Sequence, residues 1–450
     1  MSQPPSREYL IDSLSHDGRG VARAKGKVCF IAGALPGESV KAHITQQKSS
    51  HDQAVAVSIA NPSEQRVAPP CPHVESCGGC QLQHLSHEGQ LAYKQASVID
   101  LVKRLANMAP ISVLPPIASQ PYHYRRRARL SVYTPNKGRP VVGFREANGH
   151  KIIPIDRCMV LVPALADLPN ACQDLVARFT NPKIIGHIEL SLVEQSTGSV
   201  PLVHLRTTEY PTADDFAWMA QWREQQDCRL SIEYGDKGYE TLQPGDQVIS
   251  LADGALKMHY RGGDFMQANE AVNEAIVRQV VKWMGDVDGD ILDAFCGLGN
   301  FSLALAKAGH NVTGVEADIA MVERAEANAS MANLQATFLC RDLFGDNKQL
   351  ARRQFAAAVL DPPRDGANAL IGELVKKKIN KLVYVSCNPA TMARDAAILQ
   401  SAGYHLAELG IADMFPQTGI SRPLRCLSTA VKRSKRPAAT ENTCAAIKTI

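Results

Sequence analysis

One cysteine follows an apolar stretch and immediately precedes the predicted start of a helix. It is Cys387 in KLVYVSCNPATMARD, where Asn388 and Pro389 are residue types that begin helices. A thiol at a helix N-terminus has its thiolate form favoured by the exposed backbone amides, and a thiolate is a nucleophile. Cysteine is also common in buried strands, so a packing role is the alternative. If the strand before Cys387 ends at a ligand-binding crevice, a role as nucleophile is favoured over a packing role.

Acidic residues lie at or just after the ends of three further apolar stretches. LDAFCGLGNF contains Asp293, Gly297 and Asn300, NVTGVE ends at Glu316, and Asp342 follows ATFLCR. Ligands of parallel sheets bind at the carboxyl ends of the strands, where glycine lets a cofactor approach the backbone. Glu316 is placed to accept hydrogen bonds from ribose hydroxyls and Asp342 to lie near an adenine amine, whereas the longer G-x-G-x-x-G of dinucleotide folds is absent. This order resembles a class I methyltransferase that uses S-adenosylmethionine (SAM), and a purely structural turn is the alternative.

A second constellation consists of four cysteines. Cys71, Cys77 and Cys80 form a C-x5-C-x2-C motif in CPHVESCGGC, and Cys158 follows in PIDRCMVL. We see no secretion signal in the first residues, so disulfides are not expected. Four thiolates fit either a tetrahedral zinc ion or an iron–sulfur cluster, and spacing alone does not choose between them. Cysteines without any ligand are the remaining alternative.

Three segments of the chain position these residues. Residues 1–66 contain short β-rich runs between Gly and Pro turns, which predicts a small closed barrel of the oligonucleotide-binding kind that resembles a TRAM domain. Residues 67–265 hold the four cysteines, a predicted helix at 88–107 and alternating strands, and we interpret them as a mixed α+β middle domain. In residues 266–450 apolar strands alternate with helices, which predicts an α/β fold with a parallel sheet covered on both faces.

Composition and charge restrict the partners. The 450 residues carry a formal net charge of +4, and no apolar run is long enough to span a bilayer. The absence of such a run predicts a cytoplasmic protein without a membrane partner. We also expect a monomer, although the sequence alone does not give the oligomeric state. The stretch YHYRRRAR at residues 122–129 places arginines beside aromatic rings, which suits RNA phosphates and bases. A solvated strand edge is the alternative explanation for this stretch.

The motifs FCGLGNF, DPPRDG and SCNPATMARD together resemble the RNA uracil-5-methyltransferase family, and the TRAM-like start with the four cysteines is similar to its branch that acts on 23S rRNA. The resemblance implies that Cys387 is the catalytic nucleophile, that SAM is the methyl donor and that 23S rRNA is the partner. It implies a 4Fe-4S cluster in preference to zinc, held by Cys71, Cys77, Cys80 and Cys158. It also implies that the following residues line the SAM site: Gln267, Phe295, Asn300, Glu316, Asp342 and Asp361.

Methylation of uracil at carbon 5 explains the need for a thiolate. Carbon 5 is a poor nucleophile, but addition of Cys387 to carbon 6 gives an enolate-like adduct whose carbon 5 can attack the methyl group of a sulfonium. A base must then remove the proton on carbon 5 before the cysteine is expelled. Two alternatives remain open, namely uracil methylation of tRNA and an RNA-binding homologue without turnover.

The sequence departs from the family pattern after Gly419. The family's last motif carries the glutamate base, but this chain reads ISRPLRCLSTA and has no acidic residue from Ile420 to Ala430. One deleted nucleotide would explain the difference, because codons permitted for this stretch encode H-I-E-A-V-A-L-F-V-N-G once a C is restored before them. A native, divergent C-terminus is the alternative. For the chain as written, we expect the sheet to lose a central apolar strand and to gain Pro423, which removes a ladder donor. We also expect weaker folding, because charged residues replace a core strand.

Overall fold

Three β-sheets organise the chain in the computed structural model. The structure describes residues 6–419 and the backbone of residues 425–432, apart from the following positions: 25, 148, 196–197, 236–237, 244, 246, 252–253, 346–349 and 351–352. Within this described part, no helix is both long enough and apolar enough to cross a membrane.

The first sheet lies in the N-terminal segment and contains six strands. They are β1 (Ser6–Leu10), β2 (Ser13–Leu14), β3 (Gly20–Ala24), β4 (Lys27–Ala32), β5 (Ser39–Gln47) and β6 (His51–Ala60). Their order across the sheet is β1-β5-β6-β4-β3-β2. Alternate residues of β4, including Cys29 and Ile31, are buried with Tyr9 and Val40, as the two-residue period of a half-buried strand requires. Since β1 also contacts β3, the sheet curls around this small core.

A long helix, α1 (His87–Ala106), and a short strand, β7 (Ser112–Val113), follow the first sheet. The side chain of Ser86 caps α1 by accepting a hydrogen bond from the amide of Gly89, and the helix confirms the one predicted at 88–107. β7 pairs in parallel with residues 408–409 of a C-terminal strand, and α1 packs against the same strand. Part of the middle segment therefore completes the C-terminal sheet.

The second sheet is mixed and has nine strands. The elements of this region are β8 (Arg127–Tyr133), β9 (Val141–Arg145), β10 (Ile152–Pro154), α2 (Leu168–Ala177), β11 (Ile185–Gln195), β12 (Gly198–Thr207), α3 (Ala213–Gln225), β13 (Arg229–Tyr234), β14 (Gly238–Thr241), β15 (Val248–Leu251), β16 (Leu256–His259) and two 3-10 turns at Pro163–Leu165 and Pro182–Ile184. The main path is β10-β9-β8-β11-β12-β13-β14, and the β15–β16 hairpin joins it at β11. The helices cover one face, where Leu175 and Trp222 pack with Leu130 and Leu190. Strand residues of the other parity, such as Arg127, face away from the helices.

The third sheet is mostly parallel and has eight strands. Its further elements are α4 (Glu270–Met284), β17 (Ile291–Ala294), α5 (Ser302–Lys307), β18 (Val312–Glu316), α6 (Ile319–Met331), β19 (Thr337–Cys340), β20 (Ala357–Leu360), α7 (Asn368–Lys376), β21 (Lys381–Ser386), α8 (Pro389–Ser401), β22 (Tyr404–Ala412) and β23 (Arg425–Lys432). The order is β19-β18-β17-β20-β21-β23-β22-β7. Every residue of β17 and β20 is buried, which explains why these strands are apolar apart from Asp293. The strand order reverses between β17 and β20, and at such a switch point a crevice opens at the carboxyl ends of the strands.

β23 occupies the position where we expected the sheet to lose a strand. Its backbone pairs antiparallel with β21 on one side and with β22 on the other. The expectation of a lost strand is therefore wrong, because β23 begins at Arg425, two residues after Pro423. Residues 420–424 and the side chains of β23 lie outside the described part of the chain.

Candidate active site

A cavity of ≈ 710 Å³ lies at the carboxyl ends of the parallel strands. The residues that line it include six of those predicted from the sequence: Gln267, Phe295, Glu316, Asp342, Asp361 and Cys387. They come from the segment before α4, from the ends of four strands and from the start of α8. The fold thus brings together residues that are up to 120 positions apart in the chain, from Gln267 to Cys387.

The turn between β17 and α5 is built around a backbone that approaches the cavity closely. Phe295 has a φ of +65°, which is uncommon for a residue with a side chain, and its amide donates to the carbonyl of Val315 at 2.9 Å. Gly297 also has a positive φ, +55°. Its amide donates to Oε2 of Glu316 at 3.1 Å. Glu316 therefore fixes the turn from the end of the neighbouring strand.

Asp293 lies beneath this turn and is completely buried. The hydroxyl of Ser302 donates to its Oδ2 at 2.5 Å, whereas its Oδ1 has no hydrogen-bond partner. Burial raises the pKa of Asp293 to about 7, with a further increase from the charge of Asp361 and only partial compensation by Ser302. The side chain ties β17 to the first turn of α5, where it supports the crevice from below.

Asn300 is not among the residues that line the cavity. Its side chain exchanges two hydrogen bonds with Asn273 of α4, at 2.9 and 3.2 Å. This pair joins α4 to the segment before α5. The predicted contact of Asn300 with a cofactor stays a prediction.

Cys387 lies between β21 and α8, as predicted. Its Sγ is 4.0 Å from the carbonyl oxygen of Pro362, and Asn388 caps α8 by accepting a hydrogen bond from the amide of Ala390. The amide nitrogen of the Asn388 side chain and the hydroxyl of Thr391 both donate to the carbonyl of Arg364, at 3.0 and 3.1 Å. The DPPRDG segment is thereby held against the N-terminus of α8, next to the thiol.

Two aromatic side chains in the cavity were missed by sequence reasoning. Phe344 is 49% exposed and its ring centroid lies 5.7 Å from that of Phe295. Phe415 also lines the cavity, and the guanidinium of Arg125 lies 5.2 Å from its ring centroid. Both residues are in loops, so no periodic pattern marks them. The only sequence signal is their position, a few residues after a strand end.

The arginine-rich stretch at residues 122–129 alternates between the surface and the interior. Arg125, Arg127 and Arg129 line the cavity. Arg126 is only 4% exposed and forms an ion pair with Glu270 at 2.5 Å, and the buried hydroxyl of Tyr124 donates to the carbonyl of Pro416. An RNA-contacting role for these two buried side chains is therefore wrong.

The four cysteines line a second cavity, of ≈ 530 Å³, which shares Arg125 and Arg129 with the first. Burial raises the pKa of Cys80 to about 12, and it also raises the pKa of Cys158. Among the residues that the structure describes, no three His, Cys, Asp or Glu side chains are arranged to hold a single metal ion. The predicted 4Fe-4S cluster at these four cysteines stays a prediction.

The sheet order, the crevice at the switch point and the acids at the strand ends define a SAM-dependent methyltransferase of class I. The model of the tRNA (uracil-5-)-methyltransferase family matches residues 242–421, and that of the TRAM domain matches residues 7–51. A protein of Aeromonas hydrophila named 23S rRNA (uracil(1939)-C(5))-methyltransferase RlmD is 38% identical over 423 residues, which cover 93% of this chain and 95% of the relative. The protein of the same name from Shewanella baltica is 38% identical over 91% of this chain and 92% of its own. The chain belongs to the RNA uracil-5-methyltransferase family.

A solved structure agrees with this assignment of the fold. The crystal structure of the Pyrococcus abyssi tRNA (uracil-54, C5)-methyltransferase in complex with S-adenosyl-L-homocysteine (SAH) covers 94% of this chain and 100% of its own, with a TM-score of 0.69 and 24% identity. At that identity the likeness supports the shared fold. The match of the family model ends at residue 421, close to the point where the sequence departs from the family pattern.

Proposed function

We propose that this chain transfers a methyl group from SAM to carbon 5 of a uridine in 23S rRNA. The observation that carries the proposal is the presence of the Cys387 thiol in the same cavity as the strand-end acids Glu316, Asp342 and Asp361. The curated relatives are named for uracil 1939 of 23S rRNA, and we propose the same nucleotide as the target of this chain.

SAM supplies an electrophilic methyl group when it is bound, and the crevice holds the donor. In this assignment Glu316 would accept hydrogen bonds from the ribose hydroxyls, and Asp342 would bind the adenine amine. The exposed ring of Phe344, close to Phe295, provides an apolar contact for a flat base. The remaining residues that we assign to this site are Gln267, Asn300 and Asp361.

Cys387 supplies the nucleophile. Its sulfur forms a bond to carbon 6 of uracil, and the electron pair of the 5,6 double bond moves toward the carbonyl oxygen on carbon 4. Carbon 5 then takes the methyl group, while the bond between that methyl group and the donor sulfur breaks. Loss of the proton on carbon 5 to a base restores the double bond and expels the thiolate.

The last step needs a base, and this chain lacks the glutamate that supplies it in the family motif. The stretch from Ile420 to Ala430, where the family motif carries its glutamate, contains no acidic residue. Glu189 lies in the cavity, but its carboxylate is a poor base. Burial acts to raise the pKa of Glu189, but hydrogen bonds and charge from His187 and Arg127 outweigh burial and lower it to about 2. We therefore propose that the RNA is methylated and then released slowly.

We propose that Cys71, Cys77, Cys80 and Cys158 hold a 4Fe-4S cluster. Four thiols that line one cavity match the four protein ligands of such a cluster. The thiols must lose their protons on binding, so loading of the site is expected to depend on pH. We also infer that residues 1–66, 67–265 and 266–450 act as RNA-binding, cluster-binding and methyltransferase parts of a cytoplasmic monomer.

Transfer of labelled methyl groups into purified 23S rRNA and into tRNA tests the proposed function. We expect label in 23S rRNA, at carbon 5 of uracil 1939, and none in tRNA. Label in tRNA alone would support the alternative substrate. Binding of 23S rRNA without any label, even at one methyl group per enzyme, would support a homologue that binds RNA without catalysis.

A further inference from the structure

The loop of residues 413–419 lies between the segment that follows Cys80, to which it is hydrogen-bonded, and the cavity that contains Cys387. It follows β22, and Phe415 in this loop lines the Cys387 cavity. Asp413, Gln417 and Thr418 are almost fully buried, although residues of these types usually lie at the surface. Their partners show what holds the loop in place.

One connection starts from the segment that follows Cys80. The amides of Gln81 and Leu82 both donate to the carbonyl of Gln417, at 2.8 and 2.9 Å. Gln417 has a φ of +71°, a conformation that a residue with a side chain adopts only when its surroundings hold it there. Gln90 of α1 accepts a hydrogen bond from the amide of Gln417 at 2.8 Å and donates one to its side chain at 2.9 Å. The strained backbone at Gln417 is thus fixed between α1 and the cysteine segment.

A second connection starts from the segment that carries Cys158. The amide of Arg125 donates to the carbonyl of Val160 at 2.9 Å, and the amide of Val162 donates to the carbonyl of Arg125 at 3.0 Å. The guanidinium of Arg125 lies over the ring of Phe415. Both connections therefore meet at the Arg125–Phe415 pair, and Arg125 lines both cavities.

Other anchors of the loop do not involve the cysteine segments. Lys94 of α1 and Asp413 form an ion pair at 2.7 Å, with each side chain 1% exposed, and Lys94 also donates to the carbonyl of Phe415 at 3.3 Å. None of the residues assigned to SAM lies in either cysteine segment. The contacts of the two cysteine segments described above lead to this loop and to the Arg125–Phe415 pair.

We propose that the loaded cysteine site sets the position of the Arg125–Phe415 pair and thereby the affinity for an unpaired RNA base, while the affinity for SAM stays unchanged. A guanidinium plane and an aromatic ring are the two kinds of surface on which proteins stack nucleobases. Gln90 and Gln417 are then positioning residues. The inference rests on the proposed function, since it requires an RNA substrate and a metal group at the four cysteines.

Hydrogen exchange of the full chain, loaded with iron and sulfide or stripped by a chelator, tests this coupling. We expect faster exchange in the stripped protein for residues 413–419 and 77–85, and no change for α7. The affinity for a 23S rRNA fragment should fall about tenfold, as expected for one lost stacking contact, and the affinity for SAH should change less than about twofold. Unchanged exchange at 413–419, or an equal loss of SAH affinity, would overturn the proposal.

The variant Gln90→Leu tests the same coupling in protein that keeps its metal group. It removes the acceptor of the Gln417 amide, so exchange at 413–419 should increase and RNA affinity fall while the iron–sulfur absorbance is retained. Gln173→Leu is a matched control, because Gln173 likewise accepts from one amide, that of Val142, but lines neither cavity. Equal effects of the two variants on exchange at 413–419 would contradict a role for Gln90.

The outcomes also separate this inference from the proposed function. Wild-type protein that binds neither SAH nor the RNA fragment would contradict both. Wild-type protein that binds both ligands but takes up no iron would contradict the coupling alone and leave the proposed methyl transfer standing.

Discussion

Glu316 is bound from two sides before any ligand arrives. Its carboxylate accepts hydrogen bonds from the amide of Gly297 at 3.1 Å and from that of Ala317 at 2.7 Å. These contacts connect the turn after β17 with the residues after β18. A side chain that is already held in place loses little further freedom on binding a ribose, which increases the net affinity.

Replacement of this acid tests its proposed contact with the donor. We expect Glu316→Gln to weaken SAH binding about tenfold, because a hydrogen bond to a charged group contributes about 1.5–3 kcal/mol. Isothermal titration calorimetry with SAH measures the effect. Glu326→Gln, on the exposed side of α6, serves as the control and should bind SAH like the wild type. Unchanged affinity of Glu316→Gln would remove this residue from the site.

Asp293 gives the folded protein a characteristic pH dependence. Its pKa of about 7 in the folded state lies above the value of 3.8 for an unburied aspartate. A pKa that is higher in the folded than in the unfolded state stabilises the folded protein at pH values below the unfolded-state pKa. This stabilisation is lost as the pH rises through the folded-state pKa. We expect the melting temperature of SAM-free wild type, relative to that of Asp293→Asn, to decrease from pH 4 to pH 7. A difference that stays constant over this range would show that Asp293 is ionised in the folded protein.

The contact between α1 and the segment after β22 joins parts of the chain that are distant in sequence. It centres on Lys94 and Asp413, whose ion pair is fully buried, whereas Oδ2 of Asp413 has no partner. Burial lowers the pKa of Lys94, and the charge of Asp413 opposes this shift. Removal of one partner leaves an uncompensated charge in the interior, which is much more costly than loss of an exposed pair.

We expect Lys94→Met to lower the free energy of unfolding by about 3–5 kcal/mol, the usual cost of breaking a buried ion pair. Arg104→Ala removes the exposed ion pair with Asp100 in the same helix and should change the free energy of unfolding by less than about 1 kcal/mol. Urea denaturation followed by circular dichroism measures both. The double variant Lys94→Met with Asp413→Leu should recover part of the loss. Equal effects of the two single variants would mean that the buried pair does not anchor the segment.

The regular elements of the C-terminal part were predictable, and their long-range partners were not. The helices α4 and α6 form in the segment where the sequence predicts alternating strands and helices, because amphipathic periodicity and N-terminal caps mark them locally. β7 has two residues and no pattern, so only the tertiary structure shows that it extends the third sheet. β23 forms despite its unusual sequence, since the edges of both β21 and β22 offer backbone partners.

Residues of the cavity could be predicted where they stand at or directly after the end of an apolar run that forms a strand. Cys387, Glu316 and Asp342 lie in the cavity because apolar runs fix where the strands stop. Sequence alone could not show which arginines of residues 122–129 face the cavity, since charge does not reveal the side of a strand. It also could not show that Asn300 pairs with Asn273, because a contact between a turn and a helix 27 positions away leaves no local signal.

The chain combines a candidate nucleophile, Cys387, with a C-terminal stretch that departs from the family pattern. The third sheet retains a strand at β23, yet the stretch that should carry the base has no acidic residue. A frameshift and a native divergence predict different codons after Gly419. The gene sequence around codon 420 decides between them, because the frameshift requires the particular codons that restore the family motif.

Restoration of the family motif after Gly419 should accelerate release of the product. The restored glutamate supplies the base for the proton on carbon 5, and general base catalysis contributes about 10²–10⁴-fold. We expect the written chain to form at most about one methylated RNA per enzyme in the time in which the restored chain completes many turnovers. A quenched time course with labelled SAM compares the two, and equal turnover would show that another residue acts as the base.

The bond between Cys387 and uracil is tested most directly by denaturing gel electrophoresis of the protein after incubation with SAM and labelled 23S rRNA fragment. We expect the wild type to carry the RNA into a covalent band that resists denaturation, and peptide mass spectrometry to locate the RNA on Cys387. Cys340→Ser, which alters a thiol outside the cavity, should keep this band, and Cys387→Ser should lose both the band and all methyl transfer. Methylation of the RNA by Cys387→Ser, or a covalent band attached to another residue, would contradict the account.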